Sequence, residues 1–520
     1  MKLVTGQEMR LMDKTVIERF GVPGIVLMEN AASQVADEIA RRYGSLTGQR
    51  VSVVCGKGNN GGDGIAVARH LHSRYHADVT IWLVEPMDKA SPDTAINLMI
   101  ARNFGIVIES IADPDWLLAH LRASHIVVDA VLGTGLVGNP RPASAVAIDA
   151  INESGRPVVS IDVPSGLTDT GIPTDRAVQA ALTVTLALPK LGLFLYPGVT
   201  LSGEIITVDI SFPAEVLAAQ DISTIALERR DIARWLPERK PGRDSNKGKF
   251  GSVVLFAGSP GFLGAASLAS EAAARTGAGL VTLGVPDSIF EAMTMRVVDS
   301  VMTHSFESSS AGSFSPSSVD KVLSFIEKRD AVGFGCGAGF DDSIREFARS
   351  FIARCSKPLV VDADALTILS MEPDRGASLI KGRNAPTVLT PHPGEMGRLL
   401  GISTADVQAD RLTAVRQAAS DFGAVVLLKG QATLIASADG RLAVNTTGNP
   451  GMATGGSGDV LTGVITTLLS QIDDPWVATS AAVFLHGLAG DIAADEIGTA
   501  GLLASDIVTR IPSAIKACYV

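Results

Sequence analysis

Residues 451–463 read GMATGGSGDVLTG, in which Gly455, Gly456 and Gly458 crowd against a carboxylate, Asp459, and an apolar stretch of helical length follows. The first amides of a helix lack intrahelical partners and carry the positive end of its dipole. Such a segment can hold a phosphate or an oxyanion. A carboxylate beside that cradle has a use if an alcohol is to be phosphorylated. The amides hold the growing charge on phosphate, and the carboxylate takes the alcohol's proton. Taken alone, the stretch fits equally well a turn of glycines with Asp459 as a helix cap.

Other polar groups stand where strands should end. LLKGQAT closes an apolar run with Lys429, a glycine turn and Thr433, well placed for a nucleotide's phosphates or sugar. TPHPGE (390–395) sets a rigid turn after another strand, with His392 and Glu395 expected to be exposed. VDADAL ends a strand with Asp362 and Asp364, one of which can be a helix cap. Open α/β sheets bind ligands at the carboxyl ends of their strands.

The first half has its own glycine loop, VSVVCGKGNNGGDG. No Lys-Ser or Lys-Thr closes it, so it is not a P-loop. GTGLVG (133–138) matches the spacing of a dinucleotide fingerprint, but NPRP follows at once and delays any helix. Polar loops are expected at strand ends at NNGGD (59–63), at Asp129 and at DVPSG (162–166). Asn60, Asp129 and Ser165 are either convergent oxygen ligands for a cation or turn formers. Lys190 in LPKLG is a further candidate, for moving protons rather than for holding a cation.

These groups need a scaffold. VSVVC, VTIWLV, HIVVDAVL, PVVSIDV and LTVTLAL alternate with helical segments, which reads as a mostly parallel sheet with helices on both faces. TGQE at Thr5–Glu8 is a capping-box signature for a first helix, and a second is expected near Gly24–Tyr43. Between 213 and 248 the chain turns charged and proline-bearing, and a domain boundary is expected there. A second α/β series starts at GSVVLFAGS (251–259). ESSSAGSFSPSS (307–318) is expected to be a surface loop.

At 520 residues, 46% hydrophobic and with 52 glycines, the chain has room for two large α/β cores. A net charge of −11 without a long basic run argues against nucleic acid. Four scattered cysteines without a CxxC pair read as free thiols, and the first twenty residues lack the apolar core of a signal peptide. A cytoplasmic location is expected. No apolar run reaches the roughly 18 residues of a membrane span, so no membrane contact is expected.

Together GMATGGSGD, KGQAT, TPHPGE, VDADAL and GAGLVTL resemble the ribokinase-like fold, and more narrowly the NAD(P)H-hydrate dehydratase family, over residues 225–515. The resemblance implies an α/β/α sandwich and dehydration of hydrated NADH or NADPH. The expected route phosphorylates the ring hydroxyl from ADP with magnesium, then loses phosphate and leaves AMP. It implies Asp459 as base, and nucleotide contacts from Gly458 and from Lys429, Gly430, Gln431, Ala432 and Thr433. Ala257 or its neighbour Gly258, with Gly337 and His392, is implied to line the hydrate site. Glu395 matches the position where sugar kinases organise magnesium through water. Asn246, Cys336 and Ala453 stand where the family often has His, Pro and Gly.

GNNGGDG and DVPSG resemble the NAD(P)H-hydrate epimerase family over residues 1–215, implying a Rossmann-like α/β/α sandwich. The implied substrate contacts are Asn59, Asn60, Gly61, Gly62 and Asp63, then Gly133, Thr134, Gly135, Leu136, Val137, Gly138 and Asn139, with Asp162. The implied cofactor is potassium on Asn60, Asp129 and Ser165. Interconverting R and S hydrates moves protons around an aminal-type carbon, for which Asp129 and Asp162 are both candidates. Hydration yields both epimers, so an epimerase on the same chain would feed a stereospecific dehydratase. A homo-oligomer is expected. The alternative is a kinase of a small hydroxymethyl compound carrying a non-catalytic binding module.

Overall fold

The computed structural model describes residues 1–136, 138–219, 222–238 and 246–519, so Val137 lies outside the described residues. The chain divides into two compact units, Lys2–Ile222, and Ser223–Val520 with Met1.

The first unit is built on β1 (Arg50–Cys55), β2 (Asp78–Leu83), β3 (Val107–Ser110), β4 (Ile126–Ala130), β5 (Val158–Ile161), β6 (Leu182–Leu186) and β7 (Glu204–Val208). They form one parallel sheet in the order β3-β2-β1-β4-β5-β6-β7. Its central strands are almost wholly buried. Near-continuous Val and Ile runs suit a parallel sheet covered on both faces. The sequence pattern missed β3 and β7, the two edges, because VIES and EIITV are only partly buried and carry charge.

Helix α1 (Gly6–Phe20) opens with the expected capping box of Thr5 and Glu8, and α2 (Gly24–Tyr43) follows. The segment 59–63 is not a loop, as expected from its polarity, but the first turn of α3 (Asn59–Tyr75). Two bare backbones explain it. A Cβ on Gly61 would lie 1.8 Å from the Gly56 carbonyl oxygen, and one on Gly56 would lie 2.1 Å from that of Val131. Only glycine allows the helix to start this close to its strand. The strand order reverses between β1 and β4, so the loops after both strands open one crevice.

Among the described residues the second unit has ten strands: β8 (Thr224–Ala226), β9 (Ser252–Phe256), β10 (Leu280–Pro286), β11 (Val301–Phe306), β12 (Ala331–Phe334), β13 (Leu359–Val361), β14 (Thr387–Leu389), β15 (Val425–Leu428), β16 (Leu434–Ala436) and β17 (Leu442–Val444). Their order is β11-β10-β9-β12-β13-β14-β15-β16-β17-β8, antiparallel only where β16 meets β15 and β17. KGQAT is the turn between β15 and β16. Here the order reverses between β9 and β12, and the helix Ser457–Leu469 packs across the strands nearby.

Two expectations change. Residues 307–318 are not simply a surface loop: Phe314 is fully buried against Phe347 and Phe256, and Ser313 and Ser318 turn inward with it. The helix Pro475–Ile497 is long and apolar enough to cross a membrane, which the run-length reading missed because single polar residues interrupt it. It is 78% buried over its most apolar window and packs in the core of this unit. The four cysteines are free, as expected.

Candidate active sites

In the first unit a cavity of about 730 Å³ opens at the crevice between β1 and β4. That is ample for a nucleotide-sized ligand. Asn59, Asn60, Asp63, the loop Gly133–Leu136, Asn139 and Asp162 line it, as do Lys57, Glu85 and Arg141. Of the other sequence candidates, Gly61 and Gly62 are buried in the helix turn, and Gly138 is not among the lining residues.

The cavity also holds a charged cluster that the motifs only half revealed. Lys190 is 1% exposed and sits 2.5 Å from Asp162, with its ammonium also donating to the Leu186 carbonyl at 2.7 Å. Asp63 is 9% exposed, and burial, reinforced by Asp162 and Asp13, pushes its carboxyl well above the usual range. Asp13 on α1 lines the same cavity; burial raises it to about 6 despite the pull of Lys190. No motif pointed to Asp13. The available signal was its spacing: Met9, Met12 and Val16 form the buried face of α1, and Asp13 falls one turn after Met9.

Asp129 is fully buried and absent from the cavity lining. Its carboxylate accepts from the Ser165 hydroxyl (2.6 Å) and amide (2.9 Å), the Ser160 hydroxyl (2.8 Å) and the Val131 amide (3.3 Å). Asn60 reaches the same corner by donating to the Leu132 carbonyl at 2.9 Å. Its Oδ1 is buried without a hydrogen-bond donor. The three predicted cation ligands thus converge on residues 129–132. An unanswered amide oxygen among carbonyl, hydroxyl and carboxylate oxygens fits a hard, weakly charged cation. Among the described residues no trio of His, Cys, Asp or Glu gathers for a metal.

In the second unit, Gly456 is the N-cap of the helix Ser457–Leu469 in a left-handed conformation (φ 94°), and Asp459 stands in the first turn. Asp459 is therefore not the cap residue. Burial, with repulsion from Asp362, lifts its carboxyl to about 6, while the Cys336 thiol donates to it and lowers it. The cradle is backed by His486, whose Nε2 lies 3.4 Å from the Ser457 hydroxyl. Burial drives that imidazole down to about 4, so it is neutral. Ala257, Gly258 and Gly337 follow β9 and β12 at the reversal point. Gly258 and Gly337 both have positive φ.

Lys429 is a half-buried brace between two carboxylates. Its ammonium meets Asp362 at 2.9 Å and Glu395 at 3.8 Å. Asp362 caps the helix Ala363–Ser370 and also accepts from the Thr462 hydroxyl at 2.7 Å. Burial pushes the Asp362 carboxyl up, but Lys429 with Thr390 and Thr462 outweighs this and holds it below the usual range. Asp364 accepts from the Gly339 amide at 3.0 Å. The KGQAT turn is held from within by Arg411, which donates to the carbonyls of Leu428, Lys429 and Gln431. Gly430 and Ala432 both have positive φ, and the Thr433 hydroxyl closes the turn on the Gly430 carbonyl.

Glu395 is buried at 7% exposure, against the expectation of an exposed side chain. It closes a capping box with His392: its carboxylate accepts from the His392 amide at 2.8 Å, and His392 Nδ1 accepts from the Gly394 and Glu395 amides. His392 itself is exposed, as expected. The capping need of a short helix after a Pro-rich turn, rather than solvent, decides where Glu395 goes.

Comparison with known proteins agrees with this division. Residues 253–513 match the family described as NAD(P)H-hydrate dehydratase, and residues 24–192 the family described as YjeF-related protein N-terminus. The chain is similar to the bifunctional NAD(P)H-hydrate repair enzyme Nnr of Moorella thermoacetica, 40% identical over 524 residues that span 99% of this chain and 97% of that protein. It is 34% identical to the protein of the same name from Escherichia coli, across 88% of this chain and 84% of that one. Among solved structures, an ADP/ATP-dependent NAD(P)H-hydrate dehydratase from Bacillus subtilis, co-crystallised with ATP and Mg2+, is 29% identical with a TM-score of 0.48. That match covers 56% of this chain and 97% of the Bacillus chain.

Proposed function

The chain belongs to the bifunctional NAD(P)H-hydrate repair enzymes, and from that premise we propose how its residues share the work. It is an epimerase and a nucleotide-dependent dehydratase of hydrated NADH and NADPH. We assign epimerisation to residues 1–215 and dehydration to residues 225–515.

In the dehydratase, Asp459 takes the proton of the hydrate's ring hydroxyl as that oxygen attacks the terminal phosphorus of ADP. The bond from phosphorus to its bridging oxygen breaks and AMP leaves. The ring carbon–oxygen bond then breaks, its electrons leave with phosphate, and loss of the adjacent ring proton restores the dihydropyridine. A carboxyl lifted to about 6 is a serviceable base at neutral pH. The helix amides at Gly456–Gly458 receive the phosphate charge. Lys429–Thr433 is assigned to the nucleotide, and Ala257, Gly258, Gly337 and His392 to the hydrate. The observation that carries this reading is Asp459 in the first turn of a helix whose N-terminus is built of glycine.

Magnesium accompanying the nucleotide would neutralise phosphate charge. Asp362 and Glu395 already answer protein donors, so they fit such an ion through water rather than as direct ligands. Potassium is assigned to Asn60, Asp129 and Ser165, on the evidence of the orphaned Asn60 oxygen. There it would fix the loop after β4 against α3. Replacing potassium by N-methylglucamine should lower the melting temperature of the first unit and slow epimerisation, with dehydration of pure S hydrate unchanged. Equal melting curves in both buffers would remove the ion from this corner.

The direct assay supplies hydrated NADH with ADP, ATP or no nucleotide and follows dihydronicotinamide absorbance. Recovery of absorbance only with a nucleotide is expected. A stable phosphorylated alcohol instead would indicate the small-molecule kinase. For the cradle, a Cβ on Gly458 would stand 3.4 Å from the Lys429 ammonium, an ordinary contact, so Gly458→Ala folds. It places a methyl where phosphate oxygen approaches, and KM for the nucleotide should rise about tenfold or more. An unchanged KM would move the phosphate elsewhere.

A further inference from the structure

The cavity of the first unit holds more carboxylate than substrate contact and a cation need. Asp162 is engaged by Lys190 at 2.5 Å, the Leu186 amide at 3.2 Å and the Thr185 hydroxyl at 3.3 Å. Asp13 and Asp63 have no such partners among the described residues. They feel only charges: Lys190 attracts both, Asp162 repels both, and Asp93 on the helix Pro92–Asn103 repels Asp63. Arg10, also on α1, and Asp93 line the same cavity. Asp169, which accepts from the Gly6 amide at 2.7 Å, lies within electrostatic reach of Asp162 and Lys190. One buried and two half-buried carboxyls, Asp63 with Asp13 and Asp162, around one ammonium do not all ionise cheaply, so the cluster retains a proton.

We propose that Asp13 on α1 and Asp63 on α3 are the acid–base pair of epimerisation, carrying one proton between them beside the fixed Lys190–Asp162 ion pair. The stereocentre bears a hydroxyl and the ring nitrogen. The pair's proton goes to the hydroxyl, the carbon–oxygen bond breaks with its electrons leaving as water, and the nitrogen lone pair forms the carbon–nitrogen double bond. Water returns to the opposite face, those electrons go back to nitrogen, and the surplus proton passes to the pair. The pair ends as it began, with nothing oxidised or reduced. The cluster's net negative charge favours the cationic ring in between. Asp63, held well above the usual range by burial, keeps the proton at neutral pH. Asp13, at about 6, is then the charged partner, and it is lost as base when pH falls through that value.

The test uses the full chain with pure R hydrate. Asp13→Asn and Asp63→Asn should each lower the epimerase kcat by about 10² or more with KM little changed. Asp13→Asn should also abolish the acid limb near pH 6, and Asp13→Glu should restore part of the rate. Combining the two Asn changes should cost no more than the slower single change, since the residues act as a unit. Turnover of S hydrate by the other unit should persist, showing an intact chain. Asp13 is only half-buried, so its variant carries the test where Asp63→Asn lowers the melting temperature of the first unit. A kcat within about threefold of the parent, a loss confined to KM, or an unmoved acid limb in Asp13→Asn would each overturn the pair.

Discussion

Asp459→Asn should lower dehydration of the S hydrate by about 10²–10⁴ while epimerisation proceeds at its normal rate. Asparagine keeps the shape of the first helical turn but cannot take a proton. The cradle of Gly456–Gly458 remains, so nucleotide affinity should be close to normal and the loss should fall on kcat. The parent's rate should fall as pH drops below about 6, where the carboxyl becomes protonated and ceases to be a base. That limb should be missing in the variant. Steady-state rates across pH 5–9 for both proteins check it. Near-normal dehydration by a folded Asp459→Asn protein would remove this residue from the chemistry.

The second large effect is expected from Asp362→Asn, and it is both structural and chemical. Asp362 is buried and answers Lys429, Thr462 and the Ala363 amide. Asparagine leaves the Lys429 ammonium with Glu395, 3.8 Å away, as its remaining ion pair among the described residues. Lys429 is partly exposed, so breaking this pair costs less than the roughly 3–5 kcal/mol of a fully buried one, and the second unit should melt earlier in calorimetry or denaturant. Two consequences act on Asp459 in the same direction. The repulsion from Asp362 that raises it disappears, and Lys429 is freed to attract it more strongly. The acid limb of dehydration should therefore move to lower pH. An unmoved or raised limb would mean that Asp459 does not feel the charge of Asp362.

Much of this arrangement could be read from residue order. The central strands announced themselves because parallel strands buried on both faces are written as Val and Ile runs. The glycine-rich turn before α3 stood out because close backbone approach excludes every other residue, and the turn before the helix Ser457–Leu469 because Gly456 takes a left-handed φ of 94°. Glu395 was misjudged because polarity suggested solvent, whereas the start of a short helix needed its carboxylate. Asp13 was invisible to motifs because the charges that act on it, Lys190 and Asp162, lie far along the chain, and only the fold assembles them. Lys190 and Lys429 each looked like a lysine after a strand. The burial of Lys190 against Asp162 and the pairing of half-buried Lys429 with Asp362 are tertiary facts that no local pattern encodes.

In this mechanism the ring hydroxyl leaves as part of phosphate. S hydrate whose ring oxygen is 18O should be turned over with ADP in ordinary water, and the products examined by mass spectrometry. The label should appear in inorganic phosphate, because the hydroxyl oxygen becomes the bridging oxygen before its bond to carbon breaks. Label released as water, with unlabelled phosphate, would contradict phosphorylation of the alcohol and with it the role given to Asp459.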